Sequence, residues 1–205
     1  MKIKDDKETS NTMFRTNLAL REESDAAIIA AFQAGDKDAF RFLVERYKER
    51  VRNVIFSVFN DKALVEDLAQ EVFIRVFKAL PAFRSESAFY TWVYRIAVNR
   101  CRDEMRSRKL RKIFSLHSMT ENAEESLPAE FSEAPADNSA RELVSIGLRS
   151  LPEKFRLPII LKDIEGMSYE EIADVLKCEI GTVKSRLSRG RSLLRKKLEP
   201  LWNAE

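Results

Sequence analysis

The chain has 205 residues with 36 basic and 33 acidic side chains, a formal net charge of +3, which allows one large or two small domains. Its one histidine, His117, and two well-separated cysteines, Cys101 and Cys178, do not match a metal-ligand pattern, so we expect no metal, no cofactor and reduced thiols rather than a disulfide. No apolar run is long enough to span a bilayer and the N-terminus lacks a signal-peptide core, which predicts a soluble, cytoplasmic protein without direct membrane insertion.

Apolar residues recur at helical spacing along most of the chain, and glycine and proline are few, which predicts an all-α fold. Residues 1–22 lack this periodicity and are predicted to be a flexible tail. Residues 113–140 carry six acidic side chains and no lysine or arginine, which is typical of a flexible acidic linker. We therefore predict two small helical domains, residues 23–112 and 141–205.

The first domain begins with helices that Gly35–Asp36 and Asn60–Asp61 separate, with Ser24 as an N-cap. The next helix, residues 63–80, has one apolar face and a polar remainder, and Pro81 closes it. By periodicity alone, these polar residues form the solvent-exposed face of an ordinary bundle helix.

The helix that starts at Phe89 interleaves aromatic and basic side chains, including Tyr90, Trp92, Tyr94 and Arg95. These are too many for one buried stripe, and such a mixture suits stacking on unpaired bases beside a phosphate backbone. The alternative is an aromatic core helix with a basic exterior.

The second domain carries a helix-turn-helix pattern in residues 166–197. Ser168 and Glu171 predict a capping box at the start of its first helix, and the second helix repeats apolar residues at Ile180, Val183 and Leu187. Seven basic and no acidic residues lie between Thr182 and Lys197, as expected of a DNA-recognition helix.

Four segments together resemble the extracytoplasmic-function (ECF) sigma factors of bacterial RNA polymerase, in particular those of the sigma-E type. They are GDKDAFRFLVERY (35–47), DLAQEVFIRVFKAL (67–80), FRSESAFYTWVYRIAVNRCRD (83–103) and LPEKFRLPIILKDIEGMSYEEIADVLKCEIGTVKSRLSRGR (151–191). The resemblance implies a sigma region 2 domain, a sigma region 4 domain and no enzymatic activity. It implies a factor that brings core polymerase to promoter DNA, recognises the minus-thirty-five and minus-ten elements and captures non-template-strand bases.

The resemblance also implies the residues that carry each function. The core polymerase contacts, on the clamp helices of the largest subunit, are Asp67, Gln70, Glu71, Ile74 and Arg75. The minus-ten DNA contacts are Phe83, Arg84, Glu86, Ser87, Tyr90, Trp92, Arg95, Asn99 and Arg102. The minus-thirty-five contacts are Thr182, Lys184, Ser185, Arg186, Ser188, Arg189 and Arg191.

Two further partners follow from the resemblance: the flap of the second-largest polymerase subunit, and an anti-sigma factor of the kind that is often membrane-anchored. The sequence leaves open whether Lys184 or Arg189 contacts a guanine edge or a phosphate. The main alternative function is a helix-turn-helix regulator that binds duplex DNA alone. A nuclease or deaminase would need clustered carboxylates or metal ligands, which the sequence does not provide.

Overall fold

The computed structural model describes residues 23–119 and 140–202, and within them it is helical with no strand. This confirms the predicted all-α fold. Short 3₁₀ turns at Lys37–Ala39 and Leu80–Ala82 and one π-helical turn at Ile160–Ile164 interrupt the α-helices. The α-helices are α1 (Asp25–Gln33), α2 (Phe40–Phe59), α3 (Lys62–Ala79), α4 (Phe89–Met119), α5 (Ala140–Arg149), α6 (Glu153–Ile159), α7 (Tyr169–Leu176) and α8 (Ile180–Trp202).

In the first bundle, helices α1 to α4, the helix ends follow the predicted signals. The Ser24 hydroxyl accepts a hydrogen bond from the Ala27 backbone N–H and starts α1. Asn60 adopts a left-handed conformation with φ 53° and ends α2, and the Asp61 carboxylate accepts from the Leu64 N–H and starts α3. These local caps fix where each helix begins and therefore which faces meet in the core.

Helices α1 to α4 bury their apolar faces against one another. The periodic residues of α2 and α3 are inaccessible to solvent, for example Val51, Val72 and Val76, and α4 adds Val93 and Ala97. Helix α4 packs against both α2 and α3. Burying one such aliphatic side chain contributes about 1.5–3 kcal/mol, so this shared core stabilises the surface that α3 and α4 present.

Helix α4 continues to Met119, beyond residue 112 where the sequence divides domain from linker. Residues 120–139, which hold most of the predicted linker, and the predicted tail at 1–22 lie outside the described residues. The division into domains and linker therefore stays a prediction.

The second bundle, helices α5 to α8, contains the expected helix-turn-helix. The Ser168 hydroxyl accepts from the Glu171 N–H while the Glu171 carboxylate accepts from the Ser168 N–H, so the predicted capping box is confirmed. Lys177 ends α7 with φ 53°, a position that usually favours glycine or asparagine. The turn between α7 and α8 therefore places a lysine in the left-handed region.

The two bundles pack against each other. Helix α4 contacts α7, and α2 contacts α5 and the π-helical turn. The Arg156 guanidinium donates to the backbone carbonyl of Val58 at 3.1 Å, from the second bundle to the first. This arrangement places α7 beside the aromatic and basic face of α4.

Candidate nucleic-acid interface

The loop that follows α3 is held by an aromatic cluster and by one glutamine. Phe83 packs against Phe89 and Trp92, with ring centroids 5.6 and 4.8 Å away. The Gln33 side-chain amide donates to the carbonyls of Leu80 and Phe83 at 3.1 and 3.0 Å. The loop at 83–87 is thus fixed against α1 and α4, which presents its polar groups in a defined orientation.

A cleft of about 470 Å³ opens between this loop and α4. Aromatic and cationic side chains in one such cleft can stack on a base and contact its phosphate. Asp174 and Lys177 of the second bundle line the cleft. Six of the predicted minus-ten residues also line it, namely Phe83, Arg84, Glu86, Ser87, Trp92 and Arg95.

The other three predicted minus-ten residues lie along α4. Trp92, Arg95, Asn99 and Arg102 follow one helical stripe, because their spacings are three and four residues. Asn99 is exposed and Arg102 is half-buried. Tyr90 is half-buried beside Tyr94, with ring centroids 6.3 Å apart.

The expectation that Tyr94 belongs to an exposed aromatic surface is wrong. Tyr94 is 2% exposed, and its hydroxyl donates a hydrogen bond to Glu165 of the second bundle. Burial, followed by this hydrogen bond, raises the pKa of the Tyr94 phenol. Tyr94 therefore joins the two bundles rather than facing a base.

Carboxylates of the second bundle pair with two of the predicted DNA-binding arginines. The Arg95 guanidinium contacts Asp174 at 2.6 Å, and Arg102 contacts Glu153 at 2.9 Å. Sequence reasoning assigned no function to Asp174, Glu153 or Glu165. Their positions in α7, α6 and the turn before α7 gave no local signal for it.

The predicted core polymerase contacts share one face of α3. Asp67, Gln70 and Ile74 are exposed there, and Ile74 is 45% exposed. An exposed isoleucine among polar side chains suits an interface. The remaining two residues are tied to α4, Glu71 by Arg100 at 2.6 Å and Arg75 by Asp103 at 3.6 Å.

A cluster of charges on α4 supports this face, and sequence reasoning did not find it. Glu104 is 8% exposed and accepts hydrogen bonds from Arg100, Arg108 and Arg111 at 3.3, 3.2 and 2.9 Å. Burial acts to raise the pKa of Glu104, but the hydrogen bonds from Arg108 and Arg100 lower it overall. The Arg100 hydrogen bond also holds the pKa of Glu71 below its ordinary value. Arg100 is thereby fixed between α3 and α4.

On the recognition helix α8, the predicted minus-thirty-five residues differ in how far they are engaged inside the chain. Lys184, Ser188 and Arg189 are exposed, and Arg189 has no ion pair among residues 23–119 and 140–202. Arg191 is paired with Asp163, which raises the pKa of its guanidinium.

The remaining predicted residues lie at the start of α8. The exposed Ser185 hydroxyl donates to the carbonyl of the half-buried Thr182 at 3.0 Å. The half-buried Arg186 contacts the Cys178 sulfur at 3.8 Å. Of the predicted set, Lys184 and Arg189 are therefore the cations most open to DNA.

The cysteines and acidic groups provide no metal site within the described part of the chain. Cys101 is fully buried, and burial raises the pKa of its thiol to about 12, so it is an inert core residue. None of the helices that the structure describes is long and apolar enough to cross a membrane.

Comparison with known families assigns both bundles. Sigma-70 region 2 matches residues 43–111, and Sigma-70 region 4 matches residues 147–194. The chain is 36% identical over 184 residues to the ECF RNA polymerase sigma-E factor of Escherichia coli K12, covering 87% of this chain and 96% of that protein. The chain belongs to the ECF sigma factor family. The RNA polymerase sigma-H factor of Pseudomonas aeruginosa is also 36% identical, over 190 residues that cover 89% of this chain and 97% of that protein.

Two solved structures share the fold of this chain. The sigma factor RpoE of Bartonella quintana, crystallised with the anti-sigma factor NepR, aligns with a TM-score of 0.59 at 25% identity over 78% of this chain and 96% of that one. CnrH, solved with the cytosolic domain of CnrY, aligns with a TM-score of 0.63 at 26% identity over 89% of this chain and 99% of that one. The sigma factor family, to which the chain belongs, consists of DNA-binding initiation factors rather than catalysts.

Proposed function

We propose that this chain is an alternative sigma factor whose α3 face binds the polymerase clamp helices while two separate surfaces read the promoter. The single observation that carries the proposal is the cleft formed by the loop at 83–87 and α4. It brings six predicted minus-ten residues together in a protein of the ECF sigma family.

In the proposed mechanism, the cleft receives a base that has left the DNA stack. Taking a base out of the stack costs a few kcal/mol, which stacking on an aromatic side chain offsets by about 1–3 kcal/mol. Trp92 and Phe83 supply the aromatic surface, and Arg84 and Arg95 supply charge for the backbone. Asn99 and Arg102 extend this surface along α4.

The second surface is α8, in which Lys184 and Arg189 reach the duplex of the minus-thirty-five element. A recognition helix enters the major groove with its N-terminal residues, and the helix-turn-helix formed by α7 and α8 supports this role for α8. Thr182, Ser185, Arg186, Ser188 and Arg191 flank these cations on the same helix. Polymerase supplies much of the remaining affinity through α3 and through the flap of its second-largest subunit.

The proposal includes an anti-sigma factor as the regulating partner. One solved relative, RpoE, was crystallised with the anti-sigma factor NepR, and another, CnrH, was solved with the cytosolic domain of CnrY. The membrane anchoring of this partner remains a prediction from the resemblance, and the cytoplasmic location of the chain remains a prediction from its sequence.

Run-off transcription with core polymerase and this protein as the sole sigma factor tests the proposed function. We expect transcripts with defined starts from promoters of this chain's own regulon, selected from genomic fragments. Omitting the protein, or replacing it with the Asp67→Lys/Ile74→Asp variant, should abolish them. Tight, specific duplex binding without core polymerase, together with no transcript, would instead establish the stand-alone regulator.

A further inference from the structure

We propose that the second domain is an intramolecular cover for the minus-ten surface, and that its carboxylates occupy the places that DNA phosphates would take on Arg95 and Arg102. The chain would then have to open before α4 can engage a melted strand. This inference rests on the proposed function, because it takes the cleft and the α4 stripe to be the DNA-binding surface.

The first part of the cover lies in the cleft itself. Asp174 of α7 contacts Arg95 at 2.6 Å, and its other carboxylate oxygen accepts from Lys177 at 2.9 Å. Asp174 and Arg95 line the cleft together with Trp92 and Arg84. A nucleotide that entered this cleft would have to compete with Asp174 for the Arg95 guanidinium.

The second part of the cover lies two helical turns along α4. Arg102 contacts Glu153 of α6 at 2.9 Å, and seven residues of α-helix separate it from Arg95 by about 10 Å. Guanidinium groups bind carboxylate and phosphate with similar geometry, so each acid can substitute for a backbone phosphate. Both cations of the stripe are therefore engaged by the chain's own acids.

A third contact lies between the two bundles and contains no cation of the DNA surface. The Tyr94 hydroxyl donates to Glu165, and Tyr94 is buried while Glu165 is half-buried. This contact fixes the second bundle on α4 without using the DNA surface itself. The cover therefore has an anchor and two competing ion pairs.

The cover is suited to opening because its ion pairs are partly hydrated. Side chains of the Arg95–Asp174 pair are 24% and 34% exposed, and those of the Arg102–Glu153 pair are 21% and 40% exposed. Ion pairs at such exposure are weak individually. Binding of core polymerase or of a single strand could therefore shift the chain to the open form.

Distance measurement between two spin labels tests the closed form in the full-length chain. Labels are attached at two exposed positions, Ala63→Cys on α3 and Ser192→Cys on α8. The Cys178→Ser substitution removes a second reactive thiol, and burial protects Cys101 from labelling. We expect one short, narrow distance in this parent. The Glu153→Arg/Asp174→Arg variant should show a longer, broader distribution.

The same variants are then titrated with a fluorescent 20-residue thymidine oligonucleotide. Opening should tighten binding by about three- to tenfold, because the competent form no longer has to be selected from a minor population. The matched control is Glu170→Arg/Glu179→Arg, which makes the same charge change at two exposed acids without ion pairs in the described residues. The control should retain the short distance and gain less affinity.

A charge swap separates pairing from added charge. Glu153→Arg alone should lengthen the distance, and Arg102→Glu/Glu153→Arg should restore it. A long distance in the parent, or equal distance and affinity in the double variant and its control, would overturn the cover. Run-off transcription by the parent tests the sigma function separately. If the label distances behave as expected but no transcript forms, the proposed function is contradicted, while the inference that the second bundle covers α4 still stands.

Discussion

Tyr94 of α4 donates its hydroxyl hydrogen to Glu165, which lies in the turn between the π-helical segment and α7. Burial is the main cause that raises the pKa of Glu165, against opposing effects of the Tyr94 hydrogen bond and the Arg50 charge. The Glu165 carboxyl is therefore easier to protonate in the folded chain than in the unfolded chain.

Glu165→Gln should stabilise the chain at pH 7, because an amide oxygen can still accept from Tyr94 without a buried charge. A raised folded-state pKa gives a stabilising contribution that is complete below the unfolded value, about 4.3, and is lost as the pH rises through the folded value. The advantage of Glu165→Gln should therefore shrink toward pH 4. Urea unfolding at both pH values measures it, and Glu165→Ala should instead cost about 1–3 kcal/mol by leaving the Tyr94 hydroxyl without its acceptor. An equal effect of Gln and Ala would contradict this assignment.

Glu104 gives a pH dependence of opposite sign. Its pKa is lowered by the arginines around it, so its stabilising contribution is present above the unfolded pKa and is lost as the pH falls through the folded pKa. Glu104→Ala should cost about 1–3 kcal/mol at pH 7, because Arg100, Arg108 and Arg111 lose an acceptor. Thermal unfolding measured between pH 7 and pH 3 should show this loss in full at pH 7 and a smaller loss as the pH falls through the folded pKa of Glu104. Glu66→Ala, at an exposed acid of α3, is the control and should change stability by less than about 1 kcal/mol.

Trp92 and Asn99 should act on strand opening rather than on assembly. Trp92→Ala removes an aromatic wall of the cleft and Asn99→Ala removes an exposed amide of the α4 stripe, while both leave the α3 face intact. Permanganate reactivity of melted thymines should fall, and association with core polymerase should stay near the parent value. If association falls equally, these residues do not have the proposed role.

Arg189 should contribute to duplex binding more than Arg191 does. Arg189 is exposed without an ion pair in the described residues, whereas Arg191 is already held by Asp163. Arg189→Ala should weaken binding of the upstream element, and the salt dependence distinguishes the contact. A phosphate contact should reduce the slope by about 0.9, whereas a base contact should cost about 1–3 kcal/mol at one position. A larger loss for Arg191→Ala would show that its intramolecular pair does not limit it.

The helix ends were predictable from the sequence because each cap is a contact within a few residues. The helix end at Asn60, the N-cap at Asp61 and the capping box of Ser168 and Glu171 form as these residue types favour. The burial of Tyr94 was not predictable, because its hydroxyl partner lies 71 residues away in the other bundle. The same holds for the acids that pair with Arg95 and Arg102. Periodicity assigns a face to a helix, but it does not say which distant element covers that face.

Gly190 is a second case in which long-range packing decides the residue, and it supports a sharp stability prediction. Helix α8 crosses α6 so closely here that an added Cβ would lie 2.9 Å from the Ile159 Cδ1, 3.1 Å from the Phe155 Cβ and 3.3 Å from the Phe155 carbonyl. Gly190→Val should therefore force the helices apart and cost about 1–3 kcal/mol.

Gly181 lies on the same helix with nothing within 4 Å of the added atom. Gly181→Val is the matched control, and it should be neutral or slightly stabilising because glycine is the poorer helix former. Urea unfolding of both variants measures the difference. Equal stability would mean that the α6–α8 contact can relax without loss, whereas a selective loss at Gly190 would show that this close crossing has no room for a larger side chain.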